Sequence, residues 1–311
     1  MKTVSSSNDG SWPDVNLGKL YKVASEVALP ARFLGRMLNA GLVLLTNLLA
    51  AVVGSGPASH FHLPLNALVL CGPLLSLWTS SYSIFANRNH FLYRKFLVSA
   101  WGWTFCVAGS FVVLLSYSAR RSALLSLRHL ARLALTGLLW WGTGRLVCLL
   151  EDAAGTCFQP VAAAAAAAGG GSDLAGQPLL LLLQEAQSKA SCLRAGQVWR
   201  GYEVSQDTLT LCLCCLLLVE EMAAFGPHVL RAEAPTGPPA GAPLRILFLL
   251  CVFLLTLWLF LLLCLLAYFP QFPAQQLGGA IAYLGWRGLY QGWYRLKPSW
   301  FSPGPPGVGL D

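Results

Sequence analysis

Residues 246–269 read ILFLLCVFLLTLWLFLLLCLLAYF, 24 consecutive positions without a charge. As a helix rising about 1.5 Å per residue, this stretch is about 36 Å long, enough to cross a hydrocarbon core of about 30 Å with some tilt. The rest of the 311-residue chain points the same way: 56% of it is apolar and 11% is charged, against about 25% charged in a soluble domain. The sequence therefore predicts an integral membrane protein of the all-α class.

Seven apolar segments carry that expectation: 37–53, 63–78, 97–117, 130–150, 208–225, 244–269 and 277–294. The last is the weakest, because Arg287 and Gln291 interrupt it. Residues 1–36 precede them and are expected to be a disordered cytosolic N-terminus. The formal charge of +8 follows from Lys and Arg flanking the spans, where they fix orientation toward the cytoplasm. No basic tract with interleaved aromatics stands apart from the spans, so a nucleic-acid partner is not expected.

Charge also orients the connections. Arg120, Arg121 and Arg128, Arg231 and Arg245, and Arg295 and Lys297 belong on the cytoplasmic side, with 297–311 as a cytosolic tail. The connection 151–207 has six acidic residues against three basic ones, and 269–276 has no charge; both are expected in the lumen. Arg88, Arg94 and Lys95 ask for the cytoplasm as well, which leaves a parity conflict among the first three segments. It is resolved if one of the first two segments lies in the interface or re-enters, 37–53 with its Gly and Asn interruptions ahead of 63–78, giving about six crossings.

The lumenal connection contains VAAAAAAAGGG at 161–171, a low-complexity insertion with no core to build. Cys157 and Cys192 bracket it, the two of the ten cysteines that lie clearly outside apolar runs. In an oxidising lumen they are expected to pair, the alternative being two free thiols. The other eight are expected to be small apolar fillers, since no histidine accompanies them at metal-ligand spacing. Neither a metal nor a cofactor is expected, and no phosphate-binding loop, dinucleotide fingerprint or nucleophile elbow occurs.

Charges inside the spans are the remaining candidates, because burying one is costly unless it is paired or wetted. Arg132 falls at the same depth as Glu220 and Glu221 on the next span, which runs the opposite way, so a structural ion pair is expected there. Arg145, near the lumenal end, is a candidate for a lipid headgroup or phosphate and stands level with Asp207. Asp207 itself opens the fifth span, where a carboxylate can cap the first turn and complement the helix dipole. None of the five histidines is expected to be catalytic.

Several stretches together resemble the fat storage-inducing transmembrane proteins: FLVSAWGWTFCVAGSF (96–111), LLEDAAGTCFQP (149–160), SCLRAGQVWRGYEVS (191–205), LCCLLLVEEMAAF (213–225), PPAGAPLRILFLL (238–250) and RLKPSWFSPGPPG (295–307). The wording is nearer to the family's type 1 branch than to its type 2 branch. The resemblance implies a multi-pass protein of the endoplasmic reticulum, similar to lipid-phosphatase bundles, that binds diacylglycerol and triacylglycerol and promotes lipid droplet formation. It also implies a histidine pair at the lumenal face, one imidazole attacking phosphorus and one protonating the leaving oxygen, which in the type 2 branch cleaves the diphosphate of acyl-CoA. Here those positions hold Asp207 and Pro270. The expectation is therefore a non-catalytic lipid-binding protein, with a lumenal lipid phosphatase or acyl-CoA diphosphatase as the alternative.

Overall fold

The computed structural model describes residues 17–54, 60–80, 82–160, 180–182, 188–223, 241–295 and 303–307. The low-complexity insertion, His228, Arg231 and Lys297 lie outside them. The chain divides into two compact units, residues 1–45 and 46–311.

Helix α1 runs Leu17–Gly54, so residues 17–36, expected as a disordered tail, are helical instead. The Ala, Leu, Lys and Glu content of 17–29 is helix-forming, and the helix continues into the apolar run without a break. In the first unit its residues Phe33, Leu34, Met37 and Leu38 are exposed.

The second unit is a helix bundle. After the end of α1 come α2 (His62–Cys71), extended by a 3-10 stretch Gly72–Leu77, then α3 (Ala100–Arg120) and α4 (Ala123–Ala154). The later helices are α6 (Gln206–Ala223), α7 (Ala242–Tyr268) and α8 (Ala274–Trp286), the last prolonged by wide and tight turns to Arg295. Among the described residues four helical segments are long and apolar enough to cross a membrane: Phe33–Val53, Ala100–Ser118, Ala123–Ala154 and Ala242–Tyr268. The others are shorter, but α6 sits at the centre of the bundle against α3, α4, α7 and α8. Its residues from Thr208 to Val219 are all buried, as befits a helix that is apolar on every face. Its Cys212, Cys214 and Cys215 fill that core, as do Cys251 and Cys264 of α7, whereas Cys71, Cys106 and Cys148 lie on the outer surface. Two indoles of the bundle donate to threonine hydroxyls, Trp258 to Thr104 and Trp140 to Thr210, each at 2.9 Å.

Between α4 and α6 lies a small disulfide-linked unit. Strand β1 (Thr156–Pro160) pairs antiparallel with β2 (Leu180–Leu182) and β3 (Val198–Arg200), and α5 (Lys189–Arg194) precedes β3. Cys157 and Cys192 are joined, Cα atoms 5.9 Å apart, and the bridge packs on Trp199. Glu151 and Asp152 in the last turn of α4 hold this unit down: Asp152 accepts from the Lys189 backbone at 2.8 Å and Glu151 from the Val204 backbone at 2.7 Å.

The bundle has two polar ends. At the first, α6 begins beside the turn from α7 to α8, with the Ser205 N–H donating to the Ala274 carbonyl at 3.0 Å. A Cβ at Gly278 would come within 2.5 Å of the Ser205 carbonyl oxygen, so α8 and the start of α6 meet this closely only through a glycine. At the second, α6 ends beside Arg132 of α4. Segment 82–97 lies at the first end, not with the other basic clusters: Thr79 donates to the Ala267 carbonyl at 3.2 Å, and Arg88 lies over the Phe269 ring at 4.8 Å. Arg88, Arg94 and Lys95 are thus parted from the basic clusters with which charge alone grouped them, as the parity conflict required once segment 37–53 is left out of the crossings. The reason is the direction of α2, which runs antiparallel to α8, His62 against Trp286 and Val69 against Gly279, and so delivers the chain to that end before α3 carries it back.

Candidate functional site

The first end is the candidate site. Ser205, rather than Asp207, caps α6: its side chain accepts from the Thr208 backbone at 3.3 Å. That leaves Asp207 inside the first turn, free of the capping role expected for it. Successive helix positions differ by about 100°. Gln206 therefore reaches α4, donating to the Gly144 carbonyl at 3.4 Å, while Asp207 turns away from α4 into a cavity shared with segment 88–98.

The cavity measures about 200 Å³ and has a polar mouth of Arg88, Arg94 and Asp207 above walls of Leu97, Val98, Leu265 and Phe269. Arg88 is the charged neighbour acting on the Asp207 carboxylate, yet no direct ion pair closes between them, and both are exposed. Tyr93 also lines the space, but its hydroxyl is engaged in donating to the Phe85 carbonyl at 2.9 Å. Phe269 is held by Gln275, whose amide donates to its carbonyl at 2.9 Å, and this fixes the neighbouring Pro270 at the same rim. Of the described histidines, His90 stands next to the cavity without lining it: its ring packs on Tyr93, centroids 6.2 Å apart, and its Nδ1 accepts from the Leu92 backbone at 3.4 Å. The sequence placed no histidine at this face; the reversed course of segment 82–97 brings this one.

Arg145 and Asp207, level in the sequence reading, do not meet. Arg145 lies exposed on α4 over the Trp141 ring, 5.7 Å from its centroid. Arg88 and Arg94 take its place beside Asp207, and the sequence offered no signal for them beyond an unexplained basic cluster.

At the second end Arg132 and Glu221 are joined and almost wholly buried. Arg132 Nε donates to Glu221 Oε1 at 2.7 Å, a second guanidinium nitrogen donates to Oε2, and the Tyr290 hydroxyl donates to Oε1 at 2.9 Å. The remaining guanidinium nitrogen donates to His129 Nδ1 at 2.9 Å, which makes Nδ1 the unprotonated nitrogen of that ring. Tyr294 closes the group by donating to the Arg132 carbonyl at 3.0 Å. Glu220 is part-exposed and takes no share in this cluster. Tyr290 and Tyr294 fall in the segment weakened by Arg287 and Gln291; their spacing of four puts both on one helical face, the signal that would have found them.

In the disulfide-linked unit Lys189 contacts Glu203 at 3.0 Å and Glu151 at 3.1 Å. Partial burial pulls its ammonium down, but hydrogen bonds to Glu203 and Glu151 outweigh it and hold the group above the usual lysine range. Among the described residues no cluster of His, Cys, Asp and Glu is arranged to hold a metal ion.

A bundle of long apolar helices with an open cavity at one end and a buried ion cluster at the other defines a polytopic α-helical membrane protein. No family model and no solved structure matches the chain. Curated relatives do. It is 61% identical to fat storage-inducing transmembrane protein 1 of Danio rerio, covering 88% of this chain and 92% of that protein. It is 43% identical to the Mus musculus protein of the same name, over 80% of this chain and 77% of that one. The mouse acyl-coenzyme A diphosphatase FITM2 is 32% identical over 79% of this chain and 86% of its own length. The chain belongs to the fat storage-inducing transmembrane protein family.

Proposed function

We propose that this protein acts in the endoplasmic reticulum membrane, with the disulfide-linked unit in the lumen, where it binds diacylglycerol and triacylglycerol and promotes lipid droplet formation without catalysis. The observation that carries this reading is the make-up of the rim cavity. Phosphoryl transfer to the protein needs an activated nucleophile and an acid within hydrogen-bond reach of the substrate. Among the lining residues are no imidazole, thiol or aliphatic hydroxyl, the one phenol is already committed to a backbone carbonyl, and the one carboxylate, Asp207, has no second acid in the lining to protonate a leaving oxygen. What remains is a lining of polar and apolar side chains that suits the headgroup of an amphiphile, whose acyl chains gain about 0.8 kcal/mol per methylene buried along the apolar flanks of the helices.

The second reading is a lipid phosphatase or acyl-CoA diphosphatase. It is favoured by the name of the mouse relative and by His90, one side chain away from the cavity. Purified protein assayed for acyl-CoA hydrolysis separates the two, beside Asp207→His with Pro270→His. The proposal expects no turnover by the unaltered chain; turnover abolished by His90→Ala would overturn it.

A further inference from the structure

The rim cavity differs from an anion-binding pocket in one respect. Two guanidinium groups, Arg88 and Arg94, stand at its mouth, and a carboxylate, Asp207, faces them. Building on the neutral-lipid reading above, we propose that Asp207 sets the ligand class of this cavity: its carboxylate supplies the negative charge Arg88 would otherwise take from an anionic headgroup, so the cavity receives the hydroxyl-bearing headgroup of diacylglycerol.

The donors and acceptors match. The free hydroxyl of a diacylglycerol donates, and an ionised carboxylate only accepts; the two ester carbonyls only accept, and the guanidinium N–H groups of Arg88 and Arg94 only donate. Triacylglycerol has no hydroxyl and offers Asp207 no donor, so it forgoes the hydrogen bond to a charged acceptor that diacylglycerol makes. A phosphate monoester carries a charge of about −1.5 to −2 at neutral pH and meets Asp207 as a like charge. The mouth keeps one net positive charge from its two arginines and one aspartate, so an anionic lipid is the competitor that has to be measured.

Size and access agree. A space of about 200 Å³ equals about seven water molecules at about 30 Å³ each, room for a glycerol-ester headgroup but not for acyl chains. The chains leave sideways: Val98, on the lining, is 83% exposed on the flank of the bundle. The contrast with Arg132 and Glu221 is the last support, because those groups close on each other and leave nothing to recognise a ligand, whereas Arg88 and Asp207 stay apart.

The test uses the full chain in phosphatidylcholine nanodiscs, labelled with photoactivatable diacylglycerol, triacylglycerol and phosphatidic acid of identical acyl composition. The wild type is expected to label at segment 88–98 with diacylglycerol in preference to phosphatidic acid by roughly fivefold or more. Asp207→Asn reverses that order and Asp207→Glu restores it, which separates lost recognition from lost folding. An unchanged diacylglycerol to phosphatidic acid ratio in Asp207→Asn overturns the inference while leaving the neutral-lipid reading intact. Failure of the wild type to take up either neutral lipid overturns both.

Discussion

At one end of the bundle Arg132, Glu221 and Tyr290 close on one another out of reach of water; at the other, Arg88, Arg94, Asp207 and Tyr93 surround an open cavity. The residue types are the same and the outcome is opposite. Where the carboxylate and guanidinium are joined by two hydrogen bonds and a tyrosine hydroxyl completes the group, the charges hold helices together. Where partners of opposite sign face each other without closing, the charges are left for something that arrives.

The most severe way to break this contrast is to remove the carboxylate of the closed end. Glu221→Ala strands a buried guanidinium and is expected to cost about 3–5 kcal/mol, read as a large fall in the melting temperature of the solubilised protein. A fall no greater than that of Asp207→Ala would show that the two ends do not differ in kind. Next in size is Cys192→Ser. Opening a 35-residue loop is expected to cost about 3–4 kcal/mol, confined to the disulfide-linked unit, so limited proteolysis of 156–200 should accelerate while the helices stay protected.

Gly278→Ala places a methyl against the Ser205 carbonyl and is expected to cost about 1–3 kcal/mol by overpacking. Because the strain falls at the rim, lipid labelling of the cavity should drop before the melting temperature does; the reverse order would mean that Gly278 supports the bundle and not the site. Smaller again is Asp207→Ala, an exposed change expected to move stability by about 0.5 kcal/mol or less while altering lipid preference. Lys189 gives the least effect. Its raised ionisation means that the stabilisation it brings is fully present below the unfolded lysine value of about 10.4 and is lost as pH rises through the higher folded value. Proteolysis of the disulfide-linked unit should therefore quicken only in strong alkali, and Lys189→Met should remove that dependence.

Length and apolarity made the helices legible, because a run such as 246–269 has one stable way to satisfy its backbone in lipid. Pairing across the second end was legible too, in part: depth counting joined Arg132 to the pair at 220 and 221, but not to one carboxylate over the other, since a choice between neighbours depends on helix rotation. Rotation also explains Arg145 and Asp207. Being level along the membrane normal does not make two side chains face each other, and the 100° step from Gln206 to Asp207 carried the carboxylate away from α4. The larger omission was Arg88. Counting positive charges grouped it with the other basic clusters because that rule weighs charge and not direction of travel, and α2 was too short for its own hydropathy to fix its course.

The order in which the chain is made gives the closed end a further meaning. Arg132 emerges 89 residues before Glu221, so during synthesis a membrane-level arginine waits for its partner through the whole disulfide-linked segment. An unpaired charge within a membrane-spanning helix is costly, and α6, which brings the partner, is not among the helices long and apolar enough to cross. Docking of α6 is thus the step that seals the bundle, and a chain halted before residue 221 is left with Arg132 unpaired in its core.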